Sequence, residues 1–344
     1  MFLELFLVGF YSFASLLLLR KVAKFVGLVD KPNVRKLHSG AVPLVGGISI
    51  CLSIVQFLTF NPDVIEHSYL FLICISMLTF VGALDDKFDI SYKVRLIVQT
   101  LLSIGMMWVA DIQLNNIGNI IGVGDVYLGI FGPIVTIFAV VGAINAFNMV
   151  DGIDGLLGGL AIVTFSAIAI LLTVSSRHGL AYLCLVFIVA ILPYILMNLG
   201  LLGRRRKIFM GDAGSMMIGF TVIWLLLGAS QKPAEALMRP VTALWLIAIP
   251  LMDMAAIMIR RIRRGDSPFK PDREHLHHIF QNLGFSAPQT LVLICAIASC
   301  FAGIGIYGEY RGVSEPIMFS LFMVSFILYV FIMKRISPVS TAQL

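Results

Sequence analysis

The sequence predicts an all-α polytopic membrane protein, and three observations carry that prediction. Hydrophobic residues make up 59% of the 344, and mean hydropathy is +0.97; soluble domains are only ~45–50% apolar. Eleven apolar stretches suited to crossing a hydrocarbon core of ~30 Å recur along the chain, whereas the ten-residue alternation of a transmembrane barrel is a poor fit. Lys and Arg crowd alternate loops, as they do on the cytoplasmic side of helical membrane proteins. Neither an internal repeat of the secondary-transporter kind nor a low-complexity tract divides the chain, so residues 1–344 are expected to form one membrane domain.

The expected spans are residues 1–19, 44–60, 69–84, 96–110, 130–147, 156–174, 180–200, 213–228, 241–259, 290–307 and 316–333. The first lacks the basic start and small-residue cleavage site of a signal peptide and is followed by a basic loop, so it is read as a retained span. The second follows a loop of turn formers. The third runs out into Asp85-Asp86 and then Lys87-Phe88-Asp89. Before the fifth, the Asn/Gly-rich stretch 111–129 has short β-prone runs around Gly122 to Asp125 and predicts a small periplasmic β-hairpin. A tight glycine-punctuated turn joins the fifth and sixth. Pro250 and Asp253 mark the ninth as kinked and as carrying an intramembrane carboxylate. The loop 260–288 precedes the last two.

Twenty-one of the twenty-five Lys and Arg residues fall in loops 20–43, 87–95, 204–207 and 260–273 and in the C-terminal tail; Arg177, Lys232, Arg239 and Arg311 occupy the other side. This predicts a periplasmic N-terminus and a cytoplasmic C-terminus. The net charge of +6 is thus distributed by topology, which argues for the lipid bilayer and a phosphorylated substrate as partners and against nucleic acid. Cys51, Cys74, Cys184, Cys295 and Cys300 lie in or beside spans without metal-ligand spacing and read as small buried hydrophobes.

Three acidic clusters then share the cytoplasmic face. Asp85 and Asp86 meet the negative end of their own helix dipole, so something else must favour holding two carboxylates there, and a divalent cation would do so. The segment Asn145-Ala146-Phe147-Asn148-Met149-Val150-Asp151-Gly152-Ile153-Asp154-Gly155 packs four oxygen-bearing side chains into one turn without Lys or Arg, although Asp154 also suits an N-cap. Phe209-Met210-Gly211-Asp212-Ala213-Gly214-Ser215 opens the eighth span, where free N–H groups favour an anion; Asp212 could equally cap that helix, and Phe209 could stack on a flat base or anchor at the interface.

Lys87 and Lys93 stand near enough to neutralise a phosphate, and the basic loop carrying Lys36 could close over one. Three of the six histidines, His275, His277 and His278, follow Asp272 and Arg273. They lack the spacing and the cysteines of zinc sites, so hydrogen bonding to a pyrophosphate or sugar fits better, with Arg273 as a bidentate anion partner.

Five motifs in order, Val29-Asp30-Lys31-Pro32-Asn33, Leu84-Asp85-Asp86, residues 145–155, 209–215 and 268–278, resemble those of the polyprenyl-phosphate N-acetylhexosamine-1-phosphate transferases, over residues 21–310. Each motif alone is weak, whereas the ordered set is specific. The histidine loop resembles that of the N-acetylglucosamine-using branch rather than the muramoyl-pentapeptide branch. The resemblance implies transfer of N-acetylglucosamine 1-phosphate from UDP-N-acetylglucosamine to undecaprenyl phosphate with release of UMP, as a first lipid-linked step of O-antigen or enterobacterial common antigen-type synthesis at the bacterial inner membrane. It also implies Mg²⁺ or Mn²⁺, held by Asp212 and Asn148, with catalytic roles for Asp85, Asp86 and Asp151. Asp154 and Phe209 would meet the nucleotide. The family carries a lysine three residues beyond the second aspartate; here that place is Asp89, and the role passes to Lys87 or Lys93. A homodimer is an open assembly.

The same carboxylates could serve a cation- or proton-coupled transporter. A transporter, however, places coupling carboxylates near the midplane between repeats, whereas these cluster at one interface beside basic loops. Transferase chemistry needs positioning and charge neutralisation, and this arrangement offers both.

Overall fold

The computed structural model describes residues 2–30, 40–174, 178–231, 237–267 and 274–341. Every expected span has its helix. In chain order these are α1 (Phe2–Val26), α2 (Gly46–Phe60), α3 (Ser68–Phe88), α4 (Tyr92–Ala110), α5 (Gly132–Met149), α6 (Leu156–Val174), α7 (His178–Asn198) and α8 (Gly211–Ser230). There follow α9 (Pro240–Leu246), α10 (Ala248–Arg263), the short α11 (Leu276–Asn282), α12 (Ala287–Tyr310) and α13 (Glu315–Thr341). Among the described residues nine helices are long and apolar enough to cross a membrane, or ten with α9 and α10 taken as one broken span. The chain is a multi-pass membrane protein. The remaining expected span, α2, has 15 residues, which at 1.5 Å per residue reach only ~22 Å.

α8 stands at the centre, packed against α2, α3, α5 and α6 and buried almost throughout. Large apolar side chains such as Phe6, Phe10, Trp108, Phe138 and Val324 cover the outside instead, because lipid is as apolar as the core and gives no reason to hide them. Without a hydrophobic drive between helices, close backbone approach holds such a bundle together. A Cβ on Gly82 of α3 would lie 2.4 Å from the Ala213 nitrogen, and one on Gly47 of α2 only 2.1 Å from that of Gly214. Gly219 opens the same space for α5, where a Cβ would meet Ile144 Cα at 2.6 Å.

The ninth span breaks where its proline requires. Pro250 has no N–H for the carbonyl four residues back, and its ring would collide with that carbonyl. α9 and α10 accordingly meet at 84° across Ile247, one turn before the proline itself. The released Leu246 carbonyl accepts from the Thr164 hydroxyl of α6 at 3.3 Å.

Two small β features lie at opposite ends of the bundle. The hairpin expected in 111–129 takes the form of one antiparallel bridge, Asn116 to Tyr127, closed by the Ile117 N–H on the Val126 carbonyl at 3.0 Å. A second, unforeseen pair joins β1 (Val29–Asp30) to β2 (Val42–Pro43) in antiparallel register, Val29 opposite Pro43. The chain leaving β2 also runs beside Phe209: Phe209 N–H donates to the Pro43 carbonyl at 2.9 Å, and Gly46 N–H to the Phe209 carbonyl at 2.9 Å. That pairing sets the start of α2 against the approach to α8.

Gly82→Ala tests the close approach. The new methyl meets backbone, so the substitution is expected to cost about 1–3 kcal/mol, lowering the thermal midpoint of the detergent-solubilised protein; an unchanged midpoint would contradict the packing.

Candidate active site

The site grows from the last turn of α3. That helix runs four residues beyond its predicted end, to Phe88, and Asp89 closes it in the left-handed region at φ 52°, with its N–H on the Asp85 carbonyl at 2.8 Å. Asp85 and Asp86 therefore sit at the negative end of their own helix. Asp86 finds compensation at the positive end of another: its two carboxylate oxygens accept from the N–H groups of Asp212, at 2.9 Å, and Ala213, at 3.3 Å, in the first turn of α8. Gly211 makes room, since a Cβ there would lie 2.3 Å from Asp86 Oδ2, and its φ of 74° also favours glycine. Asp212, read from sequence as a possible cap for α8, leaves that task to Asp86.

The Asp212 side chain turns instead toward α4 and α5. Arg95 Nη1 pairs with Asp85 Oδ2 at 2.6 Å and with Asp212 Oδ2 at 3.1 Å. Asn148 Nδ2 donates to Asp212 Oδ1 at 2.7 Å and to Ser215 Oγ at 2.8 Å. The cation that the fold brings to the acidic cluster is thus Arg95, not the expected Lys87 or Lys93: Lys87 extends over the Phe88 ring at 4.9 Å, and Lys93 is exposed at the start of α4. Among the described residues, Arg95 is the one basic side chain ion-paired to Asp85 and Asp212.

The turn between α5 and α6 forms a second wall. Asp154 Oδ2 pairs with Lys207 Nζ at 2.5 Å, and the same ammonium lies 5.2 Å from the centre of the Phe209 ring. Buried Asn198 staples the turn to the approach to α8, accepting from Gly155 N–H at 2.5 Å and donating to the Ile208 carbonyl at 2.8 Å. Asn145 points away from this wall, donating to Gln99 Oε1 at 3.3 Å and to the Val141 carbonyl at 2.7 Å. Asp151 is open to solvent just past the end of α5, with surrounding protein displacing water near its carboxyl. That burial, then the negative charges of Asp212 and Asp154, push its carboxyl up to about 7.

The histidine helix α11 lies against this turn. The His277 ring packs directly on Gly152, where a Cβ would fall 1.9 Å from Nε2, and that buried nitrogen has no hydrogen-bond partner among the described residues. Burial, followed by the charges of His278 and His275, lowers the His277 imidazole to about 2 and keeps it neutral. The His275 and His277 rings stack with centres 5.7 Å apart, and His278 follows at 4.2 Å from His277. Glu274, ahead of the helix, is gripped by Arg260 and Arg264, each at 2.7 Å. Lys36, Asp272 and Arg273 lie outside the described residues.

The Asp212 carboxylate and the amide oxygen of Asn148 are oxygen ligands of the kind that Mg²⁺ and Mn²⁺ take, although here the Asn148 amide presents Nδ2 to Asp212. Among the described residues no three His, Cys, Asp or Glu side chains converge on one point. Mg²⁺ needs fewer, since it binds through one or two carboxylates and completes its shell with water and substrate phosphate. Asp212 and Asn148 fit that pattern.

A membrane-embedded helical bundle whose carboxylates, basic side chains and histidines meet at one end is the setting of a lipid-directed transferase, and the comparisons agree. The model for glycosyl transferase family 4 matches residues 68–230, from α3 through α8 and with them Asp85, Asp86, Asn148, Asp151, Asp154, Phe209 and Asp212. The chain belongs to this family of enzymes. It is 53% identical over 333 residues, 96% of its length and 91% of the relative's, to the undecaprenyl-phosphate alpha-N-acetylglucosaminyl 1-phosphate transferase of Yersinia pestis. The protein of that name from Escherichia coli (strain K12) is 52% identical over 96% of this chain and 90% of its own. The Haemophilus influenzae protein is 46% identical over 96% and 93%.

Because the Asp151 carboxyl is pushed up to about 7, it holds its proton below neutrality and releases it above. Infrared titration of the protein without added divalent cation should show a protonated-carboxyl band fading between roughly pH 6 and 8 and weakened in Asp151→Asn; a band unaffected by that substitution would refute the assignment.

Proposed function

We propose that this protein transfers N-acetylglucosamine 1-phosphate from UDP-N-acetylglucosamine to undecaprenyl phosphate. The phosphate of the lipid attacks the sugar-bearing phosphorus, the bond to UMP breaks, and a lipid-linked pyrophosphoryl sugar remains. The observation that carries this reading is the identity of 46–53% along 96% of the chain to relatives that bear the name of this activity. Charge asymmetry supports placing the site at the cytoplasmic face of a bacterial inner membrane, since Arg95, Lys207, Arg260 and Arg264 all stand at the acidic end of the bundle.

Phosphoryl transfer is catalysed mainly by alignment and charge neutralisation. A divalent cation held by Asp212 and Asn148 supplies neutralisation of the pyrophosphate when bound. Arg95 fixes Asp85 and Asp212 relative to each other and offers its remaining N–H donors to phosphate oxygen. Lys207, steadied by Asp154, presents one cation beside the Phe209 ring, a pairing suited to a uracil ring next to its phosphates. His277, buried against Gly152, fixes the opposite wall, and the partly exposed His278 beside it can hydrogen-bond the sugar or pyrophosphate. The lipid phosphate is already largely ionised near neutrality, with a second pKa of ~6 by analogy with phosphate monoesters, so little base strength is required. Asp151 is placed to take the residual proton. Asp85 is instead paired with Arg95 at 2.6 Å, and Asp86 is committed to the backbone of α8.

Purified protein incubated with undecaprenyl phosphate, Mg²⁺ and UDP-N-acetylglucosamine should release UMP, and should not do so with UDP-N-acetylmuramoyl-pentapeptide. Asp212→Asn should lower release by about 100-fold or more, and chelation of the cation should stop it. Wild-type turnover by Asp212→Asn across the Mg²⁺ range would remove Asp212 from the site.

A further inference from the structure

Asp253 has no part in the chemistry above, yet its surroundings are among the most fully built in the molecule. It sits on α10, 1% exposed, in a span where an unpaired carboxylate is strongly disfavoured. Three donors from two other elements satisfy it: Oδ2 lies 2.8 Å from His275 Nδ1, Oδ1 accepts from Leu276 N–H at 3.1 Å, and the Tyr329 hydroxyl of α13 donates to Oδ1 at 2.8 Å. An ionised carboxylate only accepts, so His275 carries its proton on Nδ1 and turns Nε2 away from Asp253. Two consecutive residues at the start of α11 are thereby gripped by the two oxygens of one side chain. His277, two residues further on, is the ring seated on Gly152 in the turn that carries Asp151 and Asp154.

We propose that Asp253 and Tyr329 are positioning residues for sugar-nucleotide binding: they clamp the entrance of α11 and so hold the histidine wall against the Asp151–Asp154 turn. The proposal rests on the transferase reading for its kinetic consequence, but the placement it describes is independent of turnover. Asp253 is too deeply buried to touch substrate. Its effect runs through the helix it holds, as buried carboxylates orient the histidines of metal sites. Glu274, held by Arg260 and Arg264, fixes the chain just ahead of the clamp, so the carboxylate at 253 sets the helix itself. Tyr329 extends the clamp to the last span and ties the C-terminal helix to the active site.

Asp253→Asn keeps the shape but presents an N–H toward His275 Nδ1. KM for UDP-N-acetylglucosamine should rise about 10-fold or more with KM for undecaprenyl phosphate unchanged, whereas a merely structural defect would reduce the folded fraction and affect both substrates alike. Tyr329→Phe, which leaves the carboxylate and both α11 donors, should produce a smaller rise for the sugar nucleotide alone. If Asp253→Asn fails to fold, Tyr329→Phe decides, and an unchanged KM there overturns the proposal. Placement is measured separately: Gly152→Cys with His277→Cys should form a disulfide under mild oxidation, and adding Asp253→Asn should abolish it. An equally efficient cross-link with and without Asp253 would refute the clamp, whereas absence of UMP release from wild type would refute the transferase reading and leave the cross-linking result to judge the clamp.

Discussion

The carboxylate of Asp86 on the first N–H groups of α8 is the interaction on which the rest of the site depends. A helix that begins inside protein must satisfy donors that water would otherwise serve, and here an acidic residue from the end of α3 does so. The same contact cures an electrostatic fault, because Asp86 exchanges the negative end of one helix for the positive end of another. It also sets a distance. For the carboxylate to reach those N–H groups, α3 and α8 must touch backbone to backbone, which is what Gly82 and Gly211 permit. With α8 so placed, Asp212 is one residue into the helix, its N–H on Asp86 and its side chain directed at Arg95 and Asn148.

From that point the charges arrange themselves by proximity. Arg95 joins Asp85 to Asp212, Lys207 meets Asp154, and no comparable cation stands beside Asp151 among the described pairs. Its carboxyl is raised by desolvation and then by the negative charges of Asp212 and Asp154. Two aspartates of similar sequence context thus acquire different properties, one ion-paired and one holding a proton to near neutrality, which is the usual way that a site divides labour between carboxylates.

Much of the fold could be read from sequence because apolar length is a strong signal in a bilayer, and each expected span has a helix. Lateral arrangement was less legible. That α8 is central follows from glycines at 47, 82 and 219, whose significance appears only when their partners across the interface are known. In the site, Asp85, Asp86, Asn148, Asp154, Phe209 and Asp212 were visible as oxygen-rich or aromatic residues at span ends. Arg95 was passed over for Lys87 and Lys93 because nearness in sequence misleads at a helix-to-helix corner: α3 and α4 turn back on each other, and the residue ten positions on faces the acid, while the one two positions on faces out. Asn198 carried no signal beyond being polar near a boundary, Ser215 stood in the 209–215 motif without a role of its own, and Asp253 was visible as an oddity without its partners.

The separation of Asp86 from Asp212 by 126 residues has a meaning for biosynthesis. α2, α3 and α5, which surround α8, all precede it in the chain. They enter the bilayer before their central member exists, and for that interval the acidic end of α3 has neither its helix cap nor the Asp212 half of its ion pair. A carboxylate pair at mid-membrane would be driven to neutralise or to withdraw. At the water's edge it can wait, hydrated, until the ribosome delivers the helix that completes it. The location of the acids at the ends of their helices thus suits assembly as well as chemistry.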